Sequence, residues 1–322
     1  MLTVNYQVLS FGEKSILYTI SLLPESWHSA KHIFLMFDMR SDTEEGLKFF
    51  DTLHGLALKG WLNVTEGKYI MPKSRIKLLY SIKKPELHYF KKLAEKVSLY
   101  FSRPEYSKKH FEYEQVANNI LQNIKKPSLL ISQLARNFSR YCNQLKQNEK
   151  ALTYSKLAIK WQKQIDDSSD DMCDCYSSLA MALQAAGKYS EAVATGQKCE
   201  NMYNDNPYSR IRKRAMERCY EVMSSAYEKL HAYQLAKSYA FKAMDIVDNN
   251  KNINLYKKYE CYYNIATSLY KEKLFKRASI YIVKAYADYC DEIGHKPPFF
   301  SKYNFKHSVY LLRYKINRII NL

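Results

Sequence analysis

Between residues 132 and 287 the apolar positions follow a helical spacing, and that spacing recurs as a longer unit. Four times the chain places one residue, an apolar residue three positions on, and an alanine thirteen beyond that. The sets are Ala135, Phe138 and Ala151; Tyr176, Leu179 and Ala192; Tyr220, Met223 and Ala236; and Tyr262, Ile265 and Ala278. Cys142, Leu183, Tyr227 and Leu269 follow the apolar position in register, and Ala158, Cys199, Ala243 and Ala285 follow the alanine. Each unit predicts two helices joined by a short polar turn such as Ala186-Gly187-Lys188-Tyr189, with small residues where the helices must approach closely. One such hairpin cannot bury its apolar face, but a stack of them can. Asp166–Asp171, Asn204–Ser209 and Asp248–Asn252 are the polar stretches expected to join successive hairpins.

The first eighty residues have a different pattern. Glu13–Leu23 predicts a short helix stopped by Pro24, and Trp27–Phe37 a second. Thr43–Lys59 predicts a third, capped by Asp42 or Thr43, with Glu44 and Glu45 where the helix dipole favours anions. Its expected apolar stripe is Leu47, Phe50, Leu53 and Leu56–Leu58. Gly60 ends it, and two short strands flank Thr65-Glu66-Gly67-Lys68, a β-hairpin. The expected fold is mainly α: a winged helix over residues 1–80, a helical connector over 81–127, about four hairpins over 128–300, and a capping helix over 301–322. The connector, Pro85–Phe101 and Ser107–Ile124, is broken at Arg103-Pro104, where a hinge is expected; the same residues also read as a degenerate extra repeat. The last segment carries Val309, Leu312, Ile316, Ile319 and Ile320 on one face, which suits a cap or, alternatively, an oligomerisation or membrane-surface helix.

The repeated residues resemble a tetratricopeptide repeat (TPR) array. Alanine stands at all four equivalents of that family's first-turn position in its second helix, and Tyr189, Tyr233 and Phe275 occupy its aromatic turn position, which is Asn148 in the first unit. The chain departs from the family in lacking its tryptophan, in having Gly187 as its one turn glycine, and in closing no unit with proline. The alanines recur every 41 to 44 residues, against about 34 in the family. The resemblance implies a right-handed α-solenoid whose concave surface, lined mainly by the first helix of each hairpin, binds a protein or peptide.

A second resemblance covers the N-terminal region. Leu22-Leu23-Pro24-Glu25, then a leucine-rich helix, then Lys59-Gly60-Trp61-Leu62 and Tyr69-Ile70-Met71 are similar to the winged-helix domain of STAND-type signalling ATPases, the NB-ARC and NACHT-related proteins. That family commonly places a helical segment and TPRs directly after this domain. It usually has a phosphate-contacting histidine after the hairpin's methionine, whereas Pro72 follows Met71 here. No Gly-x4-Gly-Lys-Ser/Thr loop occurs either, so the ATPase module is expected to be missing from this polypeptide.

Composition narrows the function classes. No apolar run reaches the roughly 20 residues that span a bilayer, and Met1–Tyr6 has no basic region followed by an apolar one, so no secretory leader is expected. Seven cysteines, odd in number and mostly at core-like positions, fit a reducing cytoplasm. Cys173-x-Cys175 is too closely spaced for a usual zinc knuckle, and Ser29 stands between His28 and His32 where a zinc protease would need glutamate. No nucleophile elbow or kinase signature appears. A non-enzymatic protein without cofactor or metal is expected, and Asp166-Asp167 and Asp170-Asp171 read as solvated turns.

The net charge of +18 raises the question of nucleic acid, but the charge is unevenly placed. Residues 1–50 carry four basic and six acidic side chains, whereas residues 251–322 carry fourteen and five. Two candidate basic contact groups stand out: Lys73, Arg75 and Lys77, and Arg210, Arg212, Lys213 and Arg214. They read either as a solvated face that keeps the protein soluble or as contacts for an acidic protein or peptide partner; nucleic acid is the weaker reading because acids on the third helix would repel phosphate. The candidate groove residues are Asn137, Ser178, Ala182, Val222, Ala226, Asn264 and Ser268. Function is therefore expected to be that of the sensor end of a STAND-like signalling protein. A winged-helix transcription regulator with a repeat effector domain and a plain two-partner scaffold are the alternatives.

Overall fold

Helix α1 (Phe11–Leu22) begins with a reciprocal cap: the Glu13 amide donates to Ser10 Oγ at 3.2 Å, and the Ser10 amide to Glu13 Oε2 at 2.8 Å. It opens a computed structural model that describes residues 4–102, 110–248, 255–293 and 308–310. A single 3₁₀ turn follows Pro24, then α2 (Ala30–Met36) and α3 (Glu44–Leu58), capped by Ser29 and Thr43. Strands β1 (Asn63–Thr65) and β2 (Lys68–Ile70) pair antiparallel. Their two turn residues, Glu66 and Gly67, both take positive φ, which matches the twist of a two-residue hairpin. A further helix, α4 (Lys73–Ile82), which the sequence pattern did not predict, follows at once. Then come α5 (Leu87–Ser102), α6 (His110–Asn123) and α7 (Leu129–Gln144).

Packing divides the chain into two compact units: residues 1–142 with 160–165, and residues 143–159 with 166–322. The first unit is centred on Tyr18, whose buried ring stacks on Tyr89 and whose hydroxyl donates to the Lys83 carbonyl at 2.7 Å. A buried hydroxyl needs such a partner. Helices α5 and α6 pack on α1, and the Asn119 amide donates to the Leu22 carbonyl at 3.0 Å. The hairpin is tied in where the Tyr69 amide donates to the His28 carbonyl at 2.8 Å.

The stripe expected on α3 is shifted. Gly46, Phe49, Leu53 and Leu56 are buried, while Leu47, Phe50 and Leu58 are exposed. Phe49 turns inward because its ring meets Phe34 and Phe37, each at a centroid distance of 5.0 Å. Gly46 belongs to the same face, since a β-carbon there would run into the Arg40 carbonyl.

The second unit contains most of α8 (Asn148–Ile165) and three hairpins: α9 (Asp170–Ala185) with α10 (Tyr189–Asp205), α11 (Arg210–Lys229) with α12 (Tyr233–Asp248), and α13 (Leu255–Lys271) with α14 (Phe275–Ile293). From α9 to α14 each helix packs on the next, and α9, α11 and α13 also touch in sequence, as stacked hairpins must. The repeated small residues Ala192, Cys199, Ala236, Ala243, Ala278 and Ala285 are all buried. The capping segment 301–322 and the Arg103-Pro104 hinge lie outside the described residues, apart from Ser308–Tyr310; there Tyr310 is buried and stacks on Tyr270 at 4.1 Å. The third inter-hairpin stretch is likewise outside them beyond Asp248.

Candidate functional site

The first helices of three successive hairpins enclose a hollow of roughly 420 Å³. From α9 it takes Met181 and Gln184. From α11 it takes Arg218, Glu221, Val222, Ser225, Glu228 and Lys229, and from α13 Glu260, Tyr263 and Asn264. These positions lie three, four and seven residues apart on α11, so one face of a single helix forms the floor.

The predicted groove residues divide in two. Val222 and Asn264 line the hollow. Ser178, Ala182, Ala226 and Ser268 lie inside the repeat core, each 1% exposed or less. They sit close to the lining in sequence but in the interior of the stack: on α11, Ala226 is buried and its neighbour Ser225 is half-buried. Asn137 belongs to the first unit, where its amide donates to the Ser98 carbonyl at 3.3 Å.

The two basic groups belong to different units. Lys73 and Lys77 are exposed at the start of α4 with Arg75 half-buried, and Arg210 and Arg214 are exposed on α11 with Lys213 half-buried. Arg212 is not part of a contact patch. It is buried, its Nε donates to Asp170 Oδ1 at 2.6 Å, and its other nitrogens reach the Met202 and Ser168 carbonyls. Asp170 also accepts from Ser209 Oγ, which in turn caps α11. The Ser209 hydroxyl, with Arg212 beside it, holds the Asp170 carboxyl below its ordinary range. Asp170 is therefore a structural anion and not a solvated turn residue. Further along the same pair of helices Arg218 bonds Asp174 and Ser177.

Charges read one at a time along the sequence do not reveal these clasps. A signal was present: Asp170 and Arg212 are 42 residues apart and Asp174 and Arg218 are 44, which is the repeat spacing. Residues one repeat apart face each other across a stack. The second helices carry a similar pair, Glu200 and Lys242 at 2.8 Å, with the Tyr220 hydroxyl donating to the same carboxylate oxygen at 3.0 Å. Burial, with Glu200 nearby, pushes the Tyr239 phenol up to about 12.

Cys173, Cys199 and His28 are buried, and His32 is half-buried. Cys173 and Cys199 approach to 3.2 Å in the core of the stack, and hydrogen bonding with Cys173 and Cys219, with burial added, pushes the Cys199 thiol up. A thiol held protonated is a poor nucleophile. Buried His28 places Nε2 on the Leu23 carbonyl at 3.2 Å, while His32 stacks on Trp27. Among the described residues no group of three or more His, Cys, Asp or Glu side chains is placed to hold a metal ion, and no helix is long and apolar enough to cross a membrane.

No family model matches the sequence, and no curated protein matches it. Solved structures do. Aspartyl phosphate phosphatase F from Bacillus subtilis superposes with a TM-score of 0.54 at 17% identity, over 99% of this chain and 85% of that one. BtubC (BKLC) from P. vanneervenii gives 0.54 at 15%, over 69% and 88%. A Rap protein complexed with competence and sporulation factor gives 0.51 at 14%, over 68% and 59%. At these identities the likeness concerns the fold, and the fold is a TPR-type helical repeat.

Proposed function

We propose that this chain is a non-catalytic interaction module that binds a protein or peptide segment in the hollow between α9, α11 and α13. The observation that carries the reading is the hollow itself: three consecutive first helices line it with polar, charged and aromatic side chains above a closed core. A cleft of this size suits a few side chains of an extended segment. The Rap structure was solved with a bound factor, which supports a binding role for this kind of array without identifying the ligand. The order of three helices, a two-stranded hairpin and a helical segment ahead of the repeats supports reading the N-terminal region as a winged helix and the whole as the sensor end of a STAND-like signalling protein. On that reading α3 is a protein-docking element, because its exposed face carries Leu47, Phe50 and Leu58 among Glu44, Glu45 and Asp51.

The test is affinity capture from nuclease-treated cell lysate with the full chain and with a Ser225→Trp/Asn264→Trp variant whose hollow is filled. A protein retained by the first and lost by the second, with both unfolding at the same temperature, is the expected result. Equal retention by both would remove the hollow as the binding site.

A further inference from the structure

The tetrapeptide Ile-Lys-Lys-Pro occurs twice, at Ile82-Lys83-Lys84-Pro85 and at Ile124-Lys125-Lys126-Pro127, and the copies stand 42 residues apart. Each proline disfavours helix at the lysine before it. In the first unit the two copies meet at a second hollow, of roughly 280 Å³, between the connection from α4 to α5 and the connection from α6 to α7. Four ammonium groups therefore line one small space, and among the described residues its lining has a single carboxylate, Glu86. That carboxylate is already engaged: Lys83 lies 3.3 Å from it, His88 3.4 Å and Lys126 3.7 Å. Lys84 and Lys125 are exposed and have no anionic partner among the described residues. We infer that this second hollow binds a phosphate group in its dianionic form, carried on a protein side chain or free. The inference does not depend on the hollow of the repeats.

Two unmatched ammoniums in one place call for two negative charges in one place. The Lys84 and Lys125 side chains meet, and that contact with another cation holds the Lys84 amine below its ordinary value. An anion seated between them removes the repulsion. A carboxylate brings one charge and two oxygens. A phosphate monoester brings about −1.5 to −2 charge at pH 7 and three acceptor oxygens, enough for both amines and a further donor. The start of α7 adds to the same side of the balance. Ser128 lines the hollow and its Oγ accepts from the Ile131 amide at 3.3 Å, so the N-terminal end of this 16-residue helix stands at the rim, where its dipole favours an anion. Buried Pro85 and Ile124 lie beneath, and apolar surroundings strengthen the attraction of charges above them. Lysines act on phosphate as point charges on flexible stems, so the exposed Lys84 and Lys125 can close on a group that enters from solvent.

The experiment is calorimetric titration of the full chain with inorganic phosphate, and then with N-acetyl-phosphoserine amide, in about 150 mM sodium chloride, where attraction between distant charges is largely screened. The expected result is one saturable site per chain. Binding should be at least tenfold weaker in Lys84→Gln/Lys125→Gln and unchanged in Lys73→Gln/Lys77→Gln, which removes the same charge elsewhere. Acetate should bind at least tenfold more weakly than phosphate. Because Lys84 and Lys125 are exposed and repel each other, replacing them should leave the thermal midpoint in chloride unchanged or raise it. A phosphoserine derivative that binds at least as tightly as inorganic phosphate supports the site and assigns its occupant to a phosphorylated side chain; one that is excluded while phosphate binds supports the site and assigns it to free phosphate. Absence of saturation, equal binding by Lys84→Gln/Lys125→Gln, or the same loss in Lys73→Gln/Lys77→Gln would overturn the inference and reduce the cluster to general positive charge. Acetate binding as tightly as phosphate would overturn the dianion assignment.

Discussion

Lys146, Gly187, His231 and Lys273 each lie in the short turn after a helix and each adopt a left-handed backbone, with φ of 58°, 76°, 62° and 63°. In the last three hairpins the next amide reaches back to close the helix: Lys188 to Leu183, Ala232 to Tyr227, Leu274 to Leu269. Only one of the four is glycine, although a left-handed residue with a β-carbon costs roughly 1–2 kcal/mol. Nothing lies within 4 Å of a β-carbon built on Gly187, so its role is purely conformational. Gly187→Ala should lower stability by about 1 kcal/mol, and His231→Gly should raise it by a few tenths to about 1 kcal/mol once the glycine's extra chain entropy is counted. Urea unfolding of each variant measures both. His28 gives a pH dependence at the same scale. Burial depresses its pKa in the folded state, so between that value and the unfolded value near 6.5 the unfolded chain binds the extra proton. Stability is then full above about pH 6.5 and falls as the pH drops through the window. The thermal midpoint of the wild type should decline from pH 7 to pH 5, and a His28→Asn variant should decline less.

Between helices, the Asp170–Arg212 clasp joins the first turns of α9 and α11. The arginine is spent on three acceptors in one corner of the stack. Removing one partner of a buried pair leaves the other charge without its counterpart, a loss of about 3–5 kcal/mol in buried cases. Asp170 retains 35% side-chain exposure, which lowers the expected loss for Arg212→Ala below that range, to about 2–3 kcal/mol. Arg212→Lys should recover little, since an ammonium cannot reach three acceptors in a planar fork. A double-mutant cycle with Asp170→Ala isolates the coupling. This clasp also marks how far the sequence could be read. The hairpins were legible because burial at Ala192, Ala236 and Ala278 leaves a strict periodic trace. The hollow was legible as a face but not to the residue, because adjacent α11 positions such as Ser225 and Ala226 differ by only about 100° around the helix. The stripe of α3 was misplaced for a similar reason: Leu47 and Phe50 are as apolar as Phe49, and only the tertiary contact with Phe34 and Phe37 selects between them. Helix α4 had no apolar stripe strong enough to signal it; of its residues only Leu79 is buried.

At the scale of the whole molecule the charge of +18 dominates the long-range field. Such an excess attracts any polyanion at low salt, whether or not the protein has evolved to bind one. Two consequences separate the bland attraction from a nucleic-acid function. Attraction through scattered lysines is indifferent to base sequence, since it acts on phosphates alone. It is also steeply salt-dependent: a surface engaging about four phosphates loses roughly a hundredfold in affinity between 50 and 200 mM salt. The basic residues at Lys73, Arg75 and Lys77 follow the hairpin, but α3 presents Glu44, Glu45 and Asp51 together with exposed Leu47 and Phe50, a surface that repels a phosphate backbone and offers no cationic fork to base edges. The expectation is that two unrelated 20-base-pair duplexes bind the chain equally at 50 mM salt and not measurably at 200 mM, with Lys73→Ala/Arg75→Ala reducing the salt slope without creating or removing any preference. Fluorescence anisotropy across a salt series measures all three. A duplex that is still preferred at 200 mM would transfer the function from the hollow of the second unit to the hairpin of the first, and the chain would then be a regulator that reads DNA.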